Sequence, residues 1–208
     1  RSGALGHVLV VGVEVHSSAL DFTTRGRTVT SLFGDGAGAV VVSATDEDRG
    51  IRCWKLGADG RYADALSLKI WDISKKPYLP QNDEGVGQMM PEMMFPQMDG
   101  KLVFKNAVQR MIEVMLKVAE EQKIGVDDVD LFLFHQANLR INEFIQKQIG
   151  APEDKFVNNI ERYGNTTAAT LPILLAESER NGKLQPGMKV ALVAFGSGFT
   201  WGCVLIDW

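Results

Sequence analysis

The 208-residue chain is 45% apolar and 23% charged, enough to build a core without metal or disulfide support. Its formal net charge of −4 argues against nucleic acid as the main partner, and no apolar run reaches the roughly 18 residues of a membrane span. Two widely separated cysteines, Cys53 and Cys203, read as free thiols of a reducing cytoplasm and not as a secreted disulfide scaffold.

The chain opens Arg-Ser-Gly-Ala-Leu-Gly-His, with neither an initiator Met nor a charged-then-apolar leader, so an upstream part is expected. His7 to Val15 is β-branched and almost wholly apolar, the pattern of a strand buried on both faces. A polar loop from His16 to Arg27 follows. Thr28 to Phe33 then leads into Gly34-Asp35-Gly36-Ala37-Gly38-Ala39 and a Val-Val-Val run. Residues 51–104 are rich in Gly, Pro and Met, with MMPEMMFPQM at 89–98, and show no sustained period. They read as an irregular connector between a first structured part, 1–50, and a second, 105–208.

From Lys105 the pattern becomes helical: Val108, Met111, Ile112, Met115, Val118 and Ala119 form one apolar face, and Gly125 is placed to end the helix. Leu131 to Phe134 is a short apolar strand delivering His135 at its C-terminal end. A helix is expected over Leu139–Ile149 with Gly150 as its stop, and another from Thr166 to Arg180 with Pro172 in its first turn. Two strands, Val190–Phe195 and Gly202–Ile206, close the chain across a Gly-Ser-Gly-Phe-Thr turn. Helices alternating with buried strands indicate an α/β layered fold.

Several chemistries fail on pattern. Gly34-x-Gly36-x-x-Ala39 formally matches a dinucleotide fingerprint, but that motif needs a helix where this chain continues as strand. A tight turn with close backbone packing fits better. His7, His16 and His135 lack partners at metal-ligand spacing. Ser197 has Phe195 where a hydrolase elbow requires Gly. The Met-rich run suits either a channel wall or adaptable packing. His135 stands at the end of a strand, where ligands of open α/β sheets are met, and Asn165 stands at a loop-to-helix junction, where an Asn also serves as a helix cap.

Four blocks then occur in order: Phe33-Gly34-Asp35-Gly36-Ala37-Gly38-Ala39; His135-Gln136-Ala137-Asn138-Leu139-Arg140-Ile141; Glu161-Arg162-Tyr163-Gly164-Asn165-Thr166-Thr167-Ala168-Ala169; and Phe195-Gly196-Ser197-Gly198-Phe199-Thr200-Trp201-Gly202. Together they resemble the signatures of β-ketoacyl-[acyl-carrier-protein] synthase III, a condensing enzyme of the thiolase superfamily. The resemblance implies a thiolase-like αβαβα sandwich, of which this chain would hold the last strands of the N-terminal half and all of the C-terminal half.

It further implies decarboxylative condensation of an acyl-CoA with malonyl-acyl carrier protein at a Cys-His-Asn triad. His135 and Asn165 match the His and the Asn, two donors for the malonyl thioester oxygen; the nucleophilic Cys belongs to a block upstream of Arg1. Gly196 matches an oxyanion-hole glycine, Asn138 a position that borders the pantetheine tunnel, and Arg140 an arginine placed to meet the acidic carrier protein. For the family arginine that contacts the coenzyme A nucleotide, the chain offers Arg25 and Arg27. Neither Cys53 nor Cys203 matches the nucleophile motif. No cofactor is implied beyond the coenzyme A thioester substrate, and a cytoplasmic homodimer is expected. Two alternatives stay open: a relative acting on long-chain or secondary-metabolite acyl groups, and a non-catalytic subunit lacking the nucleophile.

Overall fold

The computed structural model describes residues 4–69, 81–82, 85–86 and 95–208. The centre is a five-stranded sheet. Its strands are β3 (Gly50–Ala58), β4 (Leu131–Phe134), β5 (Phe156–Val157), β6 (Lys189–Gly196) and β7 (Thr200–Asp207), in the order β3-β7-β6-β4-β5. β4 runs parallel to both β5 and β6, whereas β7 is antiparallel to β6 and β3. A separate antiparallel pair, β1 (His7–Glu14) and β2 (Gly36–Ser43), forms a second sheet.

Period-two alternation sends the residues of β4 to opposite faces. Phe132 and Phe134 pack with Met111, Met115 and Val118 of α1 (Gly100–Gln122) and with Ile141 and Ile145 of α2 (Leu139–Ile149). Leu131 and Leu133 face the other way, onto Leu174 and Leu175 of α3 (Thr170–Arg180). Helix α3 also contacts β2, so among the described residues the layers run paired strands, helix, mixed sheet, helices. The glycines of the GDGAGA segment allow that closeness: a Cβ on Gly36 would lie 2.9 Å from Thr166, and one on Gly38 2.7 Å from Pro172. Close backbone packing is what the sequence suggested here, and strand β2 follows where a nucleotide site would need a helix.

Four expectations are corrected. The strand at His7 is present but not buried on both faces: Leu9, Val11 and Val13 are more than half exposed, because the pair has no third layer on that side among the described residues. Residues 51–104 do not begin irregularly, since β3 occupies Gly50–Ala58. As an edge strand it alternates exposed and covered positions, and Arg52 and Lys55 break its apolar pattern. Helix α1 starts at Gly100, not Lys105, because the Asp99 carboxylate accepts the Leu102 N–H at 3.0 Å and caps it. It ends at Gln122, where Lys123 caps it at a left-handed φ of 54°, two residues before the Gly125 expected to stop it. Residues 89–94 of the Met-rich run lie outside the described residues.

Candidate active site

Strands β4 and β6 are parallel neighbours, so their C-terminal ends open on the same edge of the sheet. His135 directly follows β4, and its N–H continues the ladder by donating to the Val193 carbonyl at 2.8 Å. Gly196 ends β6. Asn165 reaches the same place by another route. Its N–H donates to the Leu32 carbonyl at 2.7 Å, and its carbonyl accepts from the Gly34 N–H at 3.0 Å. The loop before α3 is thereby pinned to the segment preceding β2, as a single parallel bridge between Phe33 and Asn165.

A cavity of about 810 Å³ lies at this junction, within the usual size range of small-molecule sites. His135, Asn138, Asn165 and Gly196 all line it; much of the remaining wall is apolar, including Leu32, Phe104, Met111, Leu192 and Trp201. Pro96 and Met98, at the described end of the Met-rich run, also contribute. An apolar wall of this kind strengthens any hydrogen bond made against it.

The polar groups are tightly oriented. The Asn165 Oδ1 accepts the Thr167 N–H at 2.9 Å, which fixes the amide and leaves its Nδ2 donor without a partner among the described residues. His135 Nδ1 lies 2.7 Å from the Thr170 hydroxyl, and that hydroxyl donates to the Thr167 carbonyl at 2.8 Å. The ring keeps some exposure toward the cavity, yet burial pushes its pKa down to about 4, so it is neutral at pH 7. Thr167, with φ of 38°, thus supports both side chains from one backbone unit. Neither Thr167 nor Thr170 was singled out in the sequence; the available signal was the spacing of hydroxyls three apart just after Asn165.

The other candidates separate. Asn138 caps α2, its Oδ1 accepting the Arg140 N–H at 3.0 Å. A Cβ on Gly196 would come no closer than 3.7 Å to protein, so packing does not require glycine there and the backbone stays open. Arg140 lines neither cavity; it is exposed on the first turn of α2, its guanidinium unpaired among the described residues. Arg25 lines a smaller cavity of about 260 Å³ that shares Pro96 and Met98 with the first. Its Nε lies 2.6 Å from the buried Asp21 carboxylate, and its guanidinium lies over the Phe95 ring at 5.2 Å. Arg27 opens the short helix Arg27–Thr30 and lines neither cavity.

Neither cysteine reaches the site. In β7, Gly202 and Val204 line the cavity while Cys203 between them points away, buried, its thiol pushed up to about 12 by desolvation. Cys53 is likewise buried, and burial again raises its thiol. Among the described residues no group of three or more His, Cys, Asp or Glu is arranged to hold a metal, and no helix is long and apolar enough to cross a membrane.

Two family models match in order. One for 3-oxoacyl-[acyl-carrier-protein (ACP)] synthase III covers residues 1–60, and one for the C-terminal part of that enzyme covers residues 119–208. β-Ketoacyl-[acyl-carrier-protein] synthase III of Clostridium tetani is 42% identical over 213 residues, covering 100% of this chain and 61% of the relative. The enzyme of the same name from Clostridium perfringens is 39% identical over 206 residues, covering 99% of this chain and 60% of the relative. A crystal structure of β-ketoacyl-[acyl carrier protein] synthase III from Thermus thermophilus superposes with a TM-score of 0.84 at 36% identity, over 100% of this chain and 60% of that one. The chain thus spans about three-fifths of the length of the relatives it matches, and shares their thiolase-like α/β fold. Ordered motifs, two family matches and superposition over the whole chain agree: this chain belongs to the 3-oxoacyl-[acyl-carrier-protein] synthase III family.

Proposed function

We propose that the protein carrying this chain condenses an acyl-CoA with malonyl-acyl carrier protein, the step that initiates fatty-acid synthesis. The observation that supports it most is the meeting of His135 and Asn165 at one apolar cavity, from parts of the chain 30 residues apart, each oriented by hydrogen bonds. In this reading an acyl group passes from coenzyme A to a cysteine thiolate, releasing the coenzyme A thiol. Malonyl then loses CO₂, and the enolate attacks the acyl-enzyme. Negative charge gathers on the malonyl thioester oxygen, where the Asn165 Nδ2 would donate without ever titrating. Since Cys53 and Cys203 are buried away from the cavity, the thiol would come from a segment outside these 208 residues.

The remaining assignments follow the same reading. Gly196 would offer its backbone N–H to the acyl oxyanion, and Asn138 would flank the pantetheine arm. Arg25 fits the coenzyme A nucleotide better than Arg27, because it alone of the two borders a cavity adjoining the first. Arg140 would meet the acidic carrier protein: a cation on the first turn of a helix opposes the macrodipole, a small cost that docking would offset. We read the protein as a cytoplasmic homodimer, with the β1–β2 pair ending the first thiolase-like half and β3, α1 and the residues after them forming the second. The names of the relatives favour the fatty-acid initiator over a secondary-metabolite enzyme.

The test uses the complete protein with His135→Ala and Asn165→Ala. Removing Asn165 should lower condensation roughly 10²- to 10³-fold while intact mass still shows an acyl group on cysteine. Unchanged condensation in both variants would sink the proposal.

A further inference from the structure

The hydroxyl of Thr170 stands between two polar atoms. The Thr167 carbonyl oxygen lies 2.8 Å away and His135 Nδ1 lies 2.7 Å away. Both contacts are hydrogen-bond short, so each needs a proton between its heavy atoms. A hydroxyl supplies one proton, and a carbonyl supplies none. If the hydroxyl donated to the ring, its oxygen would face the Thr167 carbonyl with lone pairs opposed and nothing between them. If it donates to the carbonyl, the second proton must come from the ring. Only the second arrangement places a proton in both contacts. The depressed pKa of His135 agrees, since a neutral ring has a single N–H to place.

We propose that Thr170 is a positioning residue that holds neutral His135 with its proton on Nδ1, leaving the Nε2 lone pair facing the cavity. His135 is then a proton acceptor in the resting site, and not a second donor equivalent to Asn165. The two side chains divide the work. Asn165 presents N–H groups to a developing oxyanion, because Thr167 N–H occupies its oxygen. His135 presents a base, because Thr170 occupies its N–H.

The chemical consequence rests on the condensing reading, whereas the tautomer does not. In that chemistry the S–H bond of the nucleophile breaks as Nε2–H forms. The thiolate attacks the acyl thioester, the bond from acyl carbon to coenzyme A sulfur breaks, and the departing thiolate takes the proton from Nε2. The ring returns to neutral with Nδ1–H intact, and no further reactant is needed.

The test is long-range ¹H–¹⁵N correlation on the ring nitrogens of the complete, imidazole-labelled protein at neutral pH, with His135 assigned by its loss in His135→Gln. The expected spectrum shows Nδ1 protonated and Nε2 bare. Thr170→Val, which keeps the shape and removes the hydroxyl, should shift the population toward Nε2–H. Thr170→Ser should restore the wild-type pattern. Finding Nε2–H in the wild-type protein would overturn the proposal, as would an unchanged tautomer in Thr170→Val. If Thr170→Val does not fold, the wild-type and Thr170→Ser spectra still decide the ring assignment. Since these spectra are read without turnover, loss of the condensing reading and loss of the tautomer reading are distinguishable.

Discussion

His135 is a histidine whose environment removes its usual responsiveness. Free imidazole titrates near pH 6.5, but burial depresses this ring to about 4. Between those values the unfolded chain binds a proton that the folded chain refuses. Stability is therefore complete above about pH 6.5 and falls as the pH drops toward 4, by an amount on the order of 3 kcal/mol for this group. Denaturant midpoints of the complete protein against pH should show this slope, and His135→Gln should flatten the difference between pH 7 and pH 4.5. A variant whose pH dependence matches the wild type would contradict the burial of the ring. The same burial keeps the acceptor nitrogen unprotonated across the physiological range, while weakening it as a base.

At the scale of elements, boundaries were legible where local chemistry decided them. The sequence places a helix over Leu139–Ile149 with Gly150 as its stop, and the structure gives that helix the same limits, with Gly150 at a left-handed φ of 71°. Strand Leu131–Phe134 was equally plain, since every residue of it is buried. Boundaries set by side-chain caps or tertiary neighbours were less so: Asp99 moved a helix start, and an edge position hid β3 among charged residues. The site followed the same division. His135 and Asn165 stood out by position on their own elements. Their hydrogen-bond supports did not, because the 35-residue separation of His135 and Thr170 is closed only by the fold.

The contact of β1 with the turn before α3 is the element-level joint most open to test. A Cβ on Gly12 would lie 2.5 Å from the Ala168 backbone, which has no flexible end to yield. Gly12→Ala should destabilise the protein by about 1–3 kcal/mol in chemical denaturation. Gly6→Ala, where nothing lies within 4 Å, should stay within about 0.5 kcal/mol.

Across the whole molecule the unequal covering of the two sheets stands out. The mixed sheet has helices on both faces, but the β1–β2 pair turns Leu9, Val11, Val13 and Val41 outward, each more than half exposed. They lie side by side, since Leu9 pairs with Val41 in register. Contiguous apolar surface of this kind drives association in water. The 208-residue chain on its own should therefore self-associate, giving a concentration-dependent mass in light scattering. A single sharp monomer peak with cooperative melting would count against this.

The Phe33–Asn165 bridge carries one more consequence. Asn165 is held to the β1–β2 unit by backbone bonds, while His135 belongs to the mixed sheet. The pair is thus assembled across a seam, and each sheet owns only half of it. Whatever loosens that seam dismantles the chemistry while both sheets remain intact. Heat inactivation would then report on the joint between the layers, and melting on the layers themselves.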